Sequence, residues 1–276
     1  MAPGPLRPRG WRKIATAVWG WPRDPQIYGR LRLEATPLQG AIEAIRVRTG
    51  VHVTLTHLVV RGLALALKEV PSMNTRLAWG RFHPRSGVDI FVIVSTGGGS
   101  DLSGVAVRGA DRKPAADIAR ELEGRVKAAR EGGGDLDRSK RFMAALPPWL
   151  LGLFLRLFTF LSNHLNLDLR SLGMPRDPFG SALVTNVGVF GVPEGFAPLA
   201  PLYRVPLILL VGDIQPKPWV VGDRVEVRSS VTITATIDHR WADGHAIAAM
   251  ARAFCAYMAD PLAYEGGDGK ADGGDP

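Results

Sequence analysis

The chain has 276 residues, 46% apolar and 22% charged, which suits one globular domain with a substantial core. Its single cysteine, Cys255, excludes an intrachain disulfide and implies a reducing compartment. A net charge of +8 would suit an anionic partner, but no nucleic-acid-binding motif accompanies it, so nucleic acid is not expected.

Residues 1–10 are rich in Pro, Gly and Arg and predict a mobile N-terminus. No continuous apolar stretch follows, so no secretory signal is read and a cytoplasmic location is expected. Trp11–Trp19 predicts a short amphipathic helix. Tyr28–Ala35 alternates apolar and polar residues and predicts a strand. Pro37–Gly50 predicts a helix with Pro in its first turn. Thr56–Val70 predicts a long apolar helix stopped by Pro71. Strands are expected at Thr75–Phe82, Val88–Ser95 and Gly104–Arg108. Lys113–Glu131 predicts a charged amphipathic helix that ends at Gly132, Gly133 and Gly134.

Residues 138–178 break the pattern. Their centre, residues 147–161, is apolar almost all round but carries Arg156. It is shorter than the ~20 residues needed to cross a bilayer. Three readings stay open: packing against its own domain, burial against another subunit or partner, or insertion at a membrane surface. In the last case the protein would be peripheral to a membrane.

After Gly180–Gly191 come a buried strand at Leu207–Ile214, a long strand at Arg224–Asp238 with a bulge, and a final helix from Ala246 to Met258. Cys255 lies in the apolar pattern of that helix and is read as an inert thiol. Residues 265–276 are Gly- and Asp-rich and predict a disordered acidic tail. The ordered domain is therefore expected to span residues 11–264, with residues 138–178 inserted.

The strongest motif is Asp238-His239-Arg240-Trp241-Ala242-Asp243-Gly244. A strand delivers a His to a turn, and the Asp-Gly permits a tight reversal into a helix. A His so fixed suits a general base. The His-x-x-x-Asp-Gly pattern resembles the active-site signature of the dihydrolipoamide acyltransferases of 2-oxo acid dehydrogenase complexes. Other segments support the resemblance in the same order: Ala64–Asn74, Val88–Val94, Leu102–Asp111, and Gly180–Gly191 with its Thr185-Asn186-Val187-Gly188 core. It covers most of residues 10–137 and 179–262.

The resemblance implies a mixed α/β, two-layer sandwich of the chloramphenicol acetyltransferase-like type, with helices on one face of the sheet. It implies acyl transfer between coenzyme A and a thiol, with His239 as base and the Thr185 hydroxyl as oxyanion donor. Asp243 is expected to hold the His turn through a buried ion pair with an Arg, for which Arg12 is the candidate. The resemblance also implies a homotrimer whose site lies between subunits. No metal is expected; His52, His57, His83 and His164 have no metal-site spacing. Trp241 is bulkier than the family's usual residue and is expected to narrow the channel. His245 is read as a helix-start residue.

The family's lipoyl and partner-binding domains have no counterpart here, so no lipoate is expected on this chain. A lipoyl-bearing protein or a small molecule would carry the acyl group. The competing reading is a catalytically inactive trimeric scaffold that uses residues 138–178 to bind a partner or a membrane surface.

Overall fold

The computed structural model describes residues 25–78, 80–96, 101–130, 177–200 and 203–265, with seven positions between 147 and 167. The expected mobile N-terminus, the Trp11–Trp19 helix, Arg12, the Gly132–Gly134 stop, most of residues 138–178 and the tail beyond Glu265 lie outside them. Of the described positions in the insertion, Leu153, Leu157 and Phe160 are at least half exposed.

Strand β1 (Gln26–Glu34) leads directly into helix α1 (Ala35–Thr49). Gly50 closes α1 in the left-handed region, φ 67°, and its N–H bonds Arg46 O. Helix α2 (Leu55–Glu69) starts at a capping box, in which His57 Nδ1 accepts from Thr54 N at 3.0 Å. Pro71 then prevents α2 from continuing.

The expected single strand Thr75–Phe82 is two strands, β2 (Thr75–Ala78) and β3 (Arg81–Pro84), paired as a hairpin around Gly80. Gly80 has φ 66°, which a side-chain-bearing residue rarely adopts. Strands β4 (Ile90–Thr96) and β5 (Asp101–Val107) precede helix α3 (Ala115–Arg130). The chain closes with β6 (Ala182–Asn186), β7 (Leu207–Val221), β8 (Arg224–Asp238), α4 (Gly244–Ala259) and α5 (Pro261–Glu265).

Six strands form one mixed sheet in the order β1-β8-β7-β6-β4-β5, with β6 parallel to β4 and β7. Alternation fixes the layers. Ile90, Val92, Ala182, Val184, Leu207, Leu209, Ile233 and Ile237 join the main core with α1–α4. Phe91, Leu183 and Ile208 point to the other face and meet Phe179, Leu199 and Tyr203. Helices thus cover one face, as expected, and an irregular segment covers the other.

Three further features differ from expectation. Strand β7 runs past Ile214 to Val221, through Pro216 and Pro218. There it pairs only with β8, so a proline's missing N–H costs no ladder bond on the open side. The expected bulge is in β7 rather than β8: Val211 faces Ile233 and Ile214 faces Val231, leaving one extra residue on β7. Glu265 belongs to the fold rather than to the acidic tail. It is 9% exposed, accepts from Tyr257 Oη at 3.0 Å and accepts from Ala115 N, at the start of α3, at 2.7 Å.

Candidate active site

The turn that follows β8 is fixed from several sides. Asp238 N donates to Pro206 O at 2.8 Å, and His239 N donates to Pro25 O at 2.7 Å. The Asp238 carboxylate is 5% exposed and accepts from both Arg240 N and Arg240 Nε at 2.9 Å. This hydrogen-bonded partner holds the Arg240 guanidinium even further above its ordinary pKa.

His239 itself is exposed, and its Nδ1 lies 2.6 Å from Ala242 O. A carbonyl can only accept, so Nδ1 carries a proton, and in the neutral ring Nε2 is the nitrogen with the free lone pair. The turn therefore directs Nε2, not Nδ1, toward a reacting group.

Trp241 does not project into open space, contrary to the expected narrowing of a channel. It is 9% exposed, packs edge-on against Phe82 of β3 at 6.0 Å and donates from Nε1 to Thr75 O at 3.3 Å. Its bulk joins the His239 turn to the β2–β3 hairpin. Asp243 is exposed and makes no ion pair among the described residues, which do not include Arg12. It is the N-cap of α4 and accepts from Ala246 N at 2.9 Å, which holds its carboxyl below the usual range. Asp243 thus starts the helix that closes the turn. His245 is exposed in the first turn of α4, as expected.

Thr185 lies near the C-terminal end of the short strand β6, on the face without helices, in one row with Leu210 of β7 and Thr234 of β8. No described residue bonds its hydroxyl. Its neighbour Asn186 donates to Thr56 Oγ1 at 2.8 Å and accepts from Gly188 N at 2.9 Å. Gly188 and Gly212 allow this turn to press on β7, since a Cβ on Gly188 would sit 2.6 Å from Gly212 O.

The register separates the two candidates. His239 is five residues beyond the Thr234 row, ~17 Å along the strand direction, and two strands across, ~10 Å. One chain does not bring them together.

Among the described residues no cluster of His, Cys, Asp or Glu could hold a metal ion, and no helix is long and apolar enough to cross a membrane. Cys255 is partly exposed, and burial pushes its thiol pKa up, which keeps it protonated.

The sequence profile of the 2-oxoacid dehydrogenases acyltransferase (catalytic domain) family matches residues 24–138 and 179–264. The chain belongs to this family. Within it, the dihydrolipoyllysine-residue acetyltransferase component of pyruvate dehydrogenase complex from Zymomonas mobilis is 26% identical over 212 residues, or 77% of this chain and 39% of that protein. The corresponding Rhizobium meliloti component is 25% identical over 76% of this chain and 37% of its own length. The chain thus spans about two fifths of the length of these curated relatives. In fold it is similar to a probable dihydrolipoamide acetyltransferase from Listeria monocytogenes, with a TM-score of 0.64 and 20% identity over 98% of both chains. The cubic core of a pyruvate dehydrogenase multienzyme complex gives a TM-score of 0.63 at 20% identity, over 87% of this chain and 84% of that one. These structures share the fold of this chain. The family match leaves out residues 139–178, the insertion.

Proposed function

We propose that this chain transfers an acyl group between coenzyme A and a thiol of the dihydrolipoyl type, or another small acceptor. The observation that carries this is the orientation of His239: Nδ1–H is bonded to Ala242 O, which leaves Nε2 for proton transfer, at a turn that backbone and side-chain bonds hold in place. A free thiol has a pKa of ~8.5 and is mostly protonated near neutrality. His239 Nε2 takes that proton as the sulfur attacks the thioester carbonyl. The Thr185 hydroxyl donates to the oxyanion of the tetrahedral intermediate. Collapse breaks the old C–S bond, and the departing thiolate takes the proton back from His239. This chemistry needs no metal.

Because His239 and Thr185 are far apart in one chain, the working site is composite. His239 of one copy faces Thr185 of another, and a homotrimer closes the arrangement around a threefold axis. A lipoyl-bearing protein is the natural acyl carrier, in a cytoplasmic setting. The chemistry at both positions supports an enzyme over an inactive scaffold. The test is release of free thiol from acetyl-CoA with dihydrolipoamide as acceptor, in wild type and His239→Ala. Equal rates would remove the acyltransferase reading.

A further inference from the structure

An open cavity of about 960 Å³ sits at the same end of the sheet as His239, three and four strands away, where β4 begins and β5 ends. Its walls carry Arg76, Arg85, Arg108, Arg112 and Lys113. Three carboxylates answer these five cations. Asp177 accepts from both Arg76 and Arg85, at 3.0 and 3.1 Å. Asp89 accepts from Arg108 at 2.7 Å and from Gly109 N at 2.8 Å. Glu121 pairs with Lys113. Arg112 is exposed and has no acidic partner among the described residues.

The buried part is also under-compensated. The Arg85 side chain is only 7% exposed, shares its carboxylate with Arg76 and leaves Nε without a hydrogen bond among the described residues. Arg76 Nε is buried and unpartnered in the same way. Burial lowers the Arg85 pKa from its ordinary value, opposed by Asp177 and reinforced by Arg76. A buried N–H donor without an acceptor is costly, and a ligand oxygen would remove that cost. Gly87 and Gly109 line the cavity without side chains, and the Arg112 guanidinium lies over Gly109. This leaves room for an anion among the guanidinium groups.

We propose that this cavity binds the phosphate groups of a phosphorylated small molecule. Planar guanidinium groups match phosphate oxygens in pairs, which suits a bound phosphate better than a diffuse basic surface would. The cavity also communicates with the His239 turn. Arg85 Nη2 donates to Arg204 O, and two residues on Pro206 O accepts from Asp238 N. On the other side, Arg76 follows Thr75, whose carbonyl holds Trp241. The phosphate could belong to coenzyme A or to a separate phosphorylated ligand. The cavity's geometry carries the proposal, which does not depend on the acyl-transfer reading.

The test is calorimetric titration of the full chain with inorganic diphosphate and with coenzyme A, each alone and in competition. Diphosphate is expected to bind at one site per chain. Arg112→Ser and Arg108→Ser should each weaken it about tenfold, the loss of one charge-assisted pair, with unchanged melting temperature. Arg252→Ser, an exposed charge on α4, should leave it unchanged. Displacement of diphosphate by coenzyme A identifies coenzyme A as the source. Binding of coenzyme A without displacement, or no binding of it, assigns the site to a separate phosphorylated ligand. The proposal is overturned if diphosphate does not bind, if neither cavity variant weakens it, or if Arg252→Ser weakens it equally. A failed acyl-transfer assay would leave all of these readings intact.

Discussion

The His239 turn and the Thr185 strand end meet different demands. At the His239 end, a five-residue turn is held by Pro25, Pro206, Thr75 and its own Asp238–Arg240 pair, and the imidazole tautomer is set by Ala242 O. At the Thr185 end, a strand holds the backbone, Asn186 and Gly188 brace the following turn, and the hydroxyl is left without a partner among the described residues. A base must present one particular nitrogen, so its orientation is fixed by many bonds. A hydroxyl donor needs only a rigid Cα and freedom to rotate toward the charge that develops. The contrast also makes the two ends separable by mutation.

The largest expected effect lies at the fixed end. His239→Ala should lower turnover by ~10²–10⁴-fold. Because the ring is exposed, the melting temperature should barely move. Thr185→Ala should cost ~10²–10³-fold, while Thr185→Ser, which keeps the hydroxyl, should be far milder. The two inactive variants also test the composite site. Mixed oligomers of His239→Ala and Thr185→Ala chains contain interfaces that join an intact His239 to an intact Thr185. Activity should therefore return when the chains are assembled together, and not when separately assembled oligomers are combined. No recovery in mixed oligomers would mean that the site is not shared between copies.

Much of this arrangement is legible in the sequence because it is local. Strand alternation, Gly50 after α1, Pro71 after α2 and the Asp243-Gly244 step each act within a few residues. The long-range contacts are not legible there. The Trp241 side chain looks like an obstruction in sequence, because nothing nearby reveals Phe82 and Thr75 as its partners. Glu265 reads as the first residue of an acidic tail, because the Tyr257 hydroxyl and the Ala115 N–H that retain it come from separate helices. Arg76, Arg85 and Arg108 look like scattered surface charge until β2, β3 and β5 bring them together. The Gly80 turn did have a local signal, a glycine interrupting an apolar run.

Trp241 offers a way to loosen the fixed end alone. Trp241→Ala removes a nearly buried ring from the main core and should destabilise the domain by about 3–5 kcal/mol. Trp241→Phe keeps most of the packing and loses the bond to Thr75 O, for about 0.5–1.5 kcal/mol. If the ring positions His239, Trp241→Phe should also lower turnover. Denaturant titration and the thiol-release assay together separate these effects. A Trp241→Phe chain with wild-type turnover would confine the ring to a packing role.

A pH-dependent effect is expected near Thr185, through His57. Burial, with His52 and Arg46 nearby, lowers its pKa from 6.5 to about 4. In the native state it is therefore neutral at neutral pH, and Nδ1 can accept from Thr54 N and cap α2. The unfolded chain binds a proton at His57 below about pH 6.5, while the folded chain resists until about pH 4. The unfolded state thus holds more protons across that window, and stability must fall as pH drops through it. The loss should be on the order of 1–3 kcal/mol by pH 4. His57→Gln keeps an acceptor at this capping position but cannot titrate. Its urea midpoint should therefore fall less than that of wild type between pH 7 and pH 4. The next residue back, Thr56, accepts the Asn186 bond that braces the Thr185 turn. Acid should accordingly loosen the Thr185 turn before the His239 turn, which hydrogen exchange at Asn186 and Trp241 can distinguish. Equal acid sensitivity in wild type and His57→Gln would exclude His57 as the titrating group.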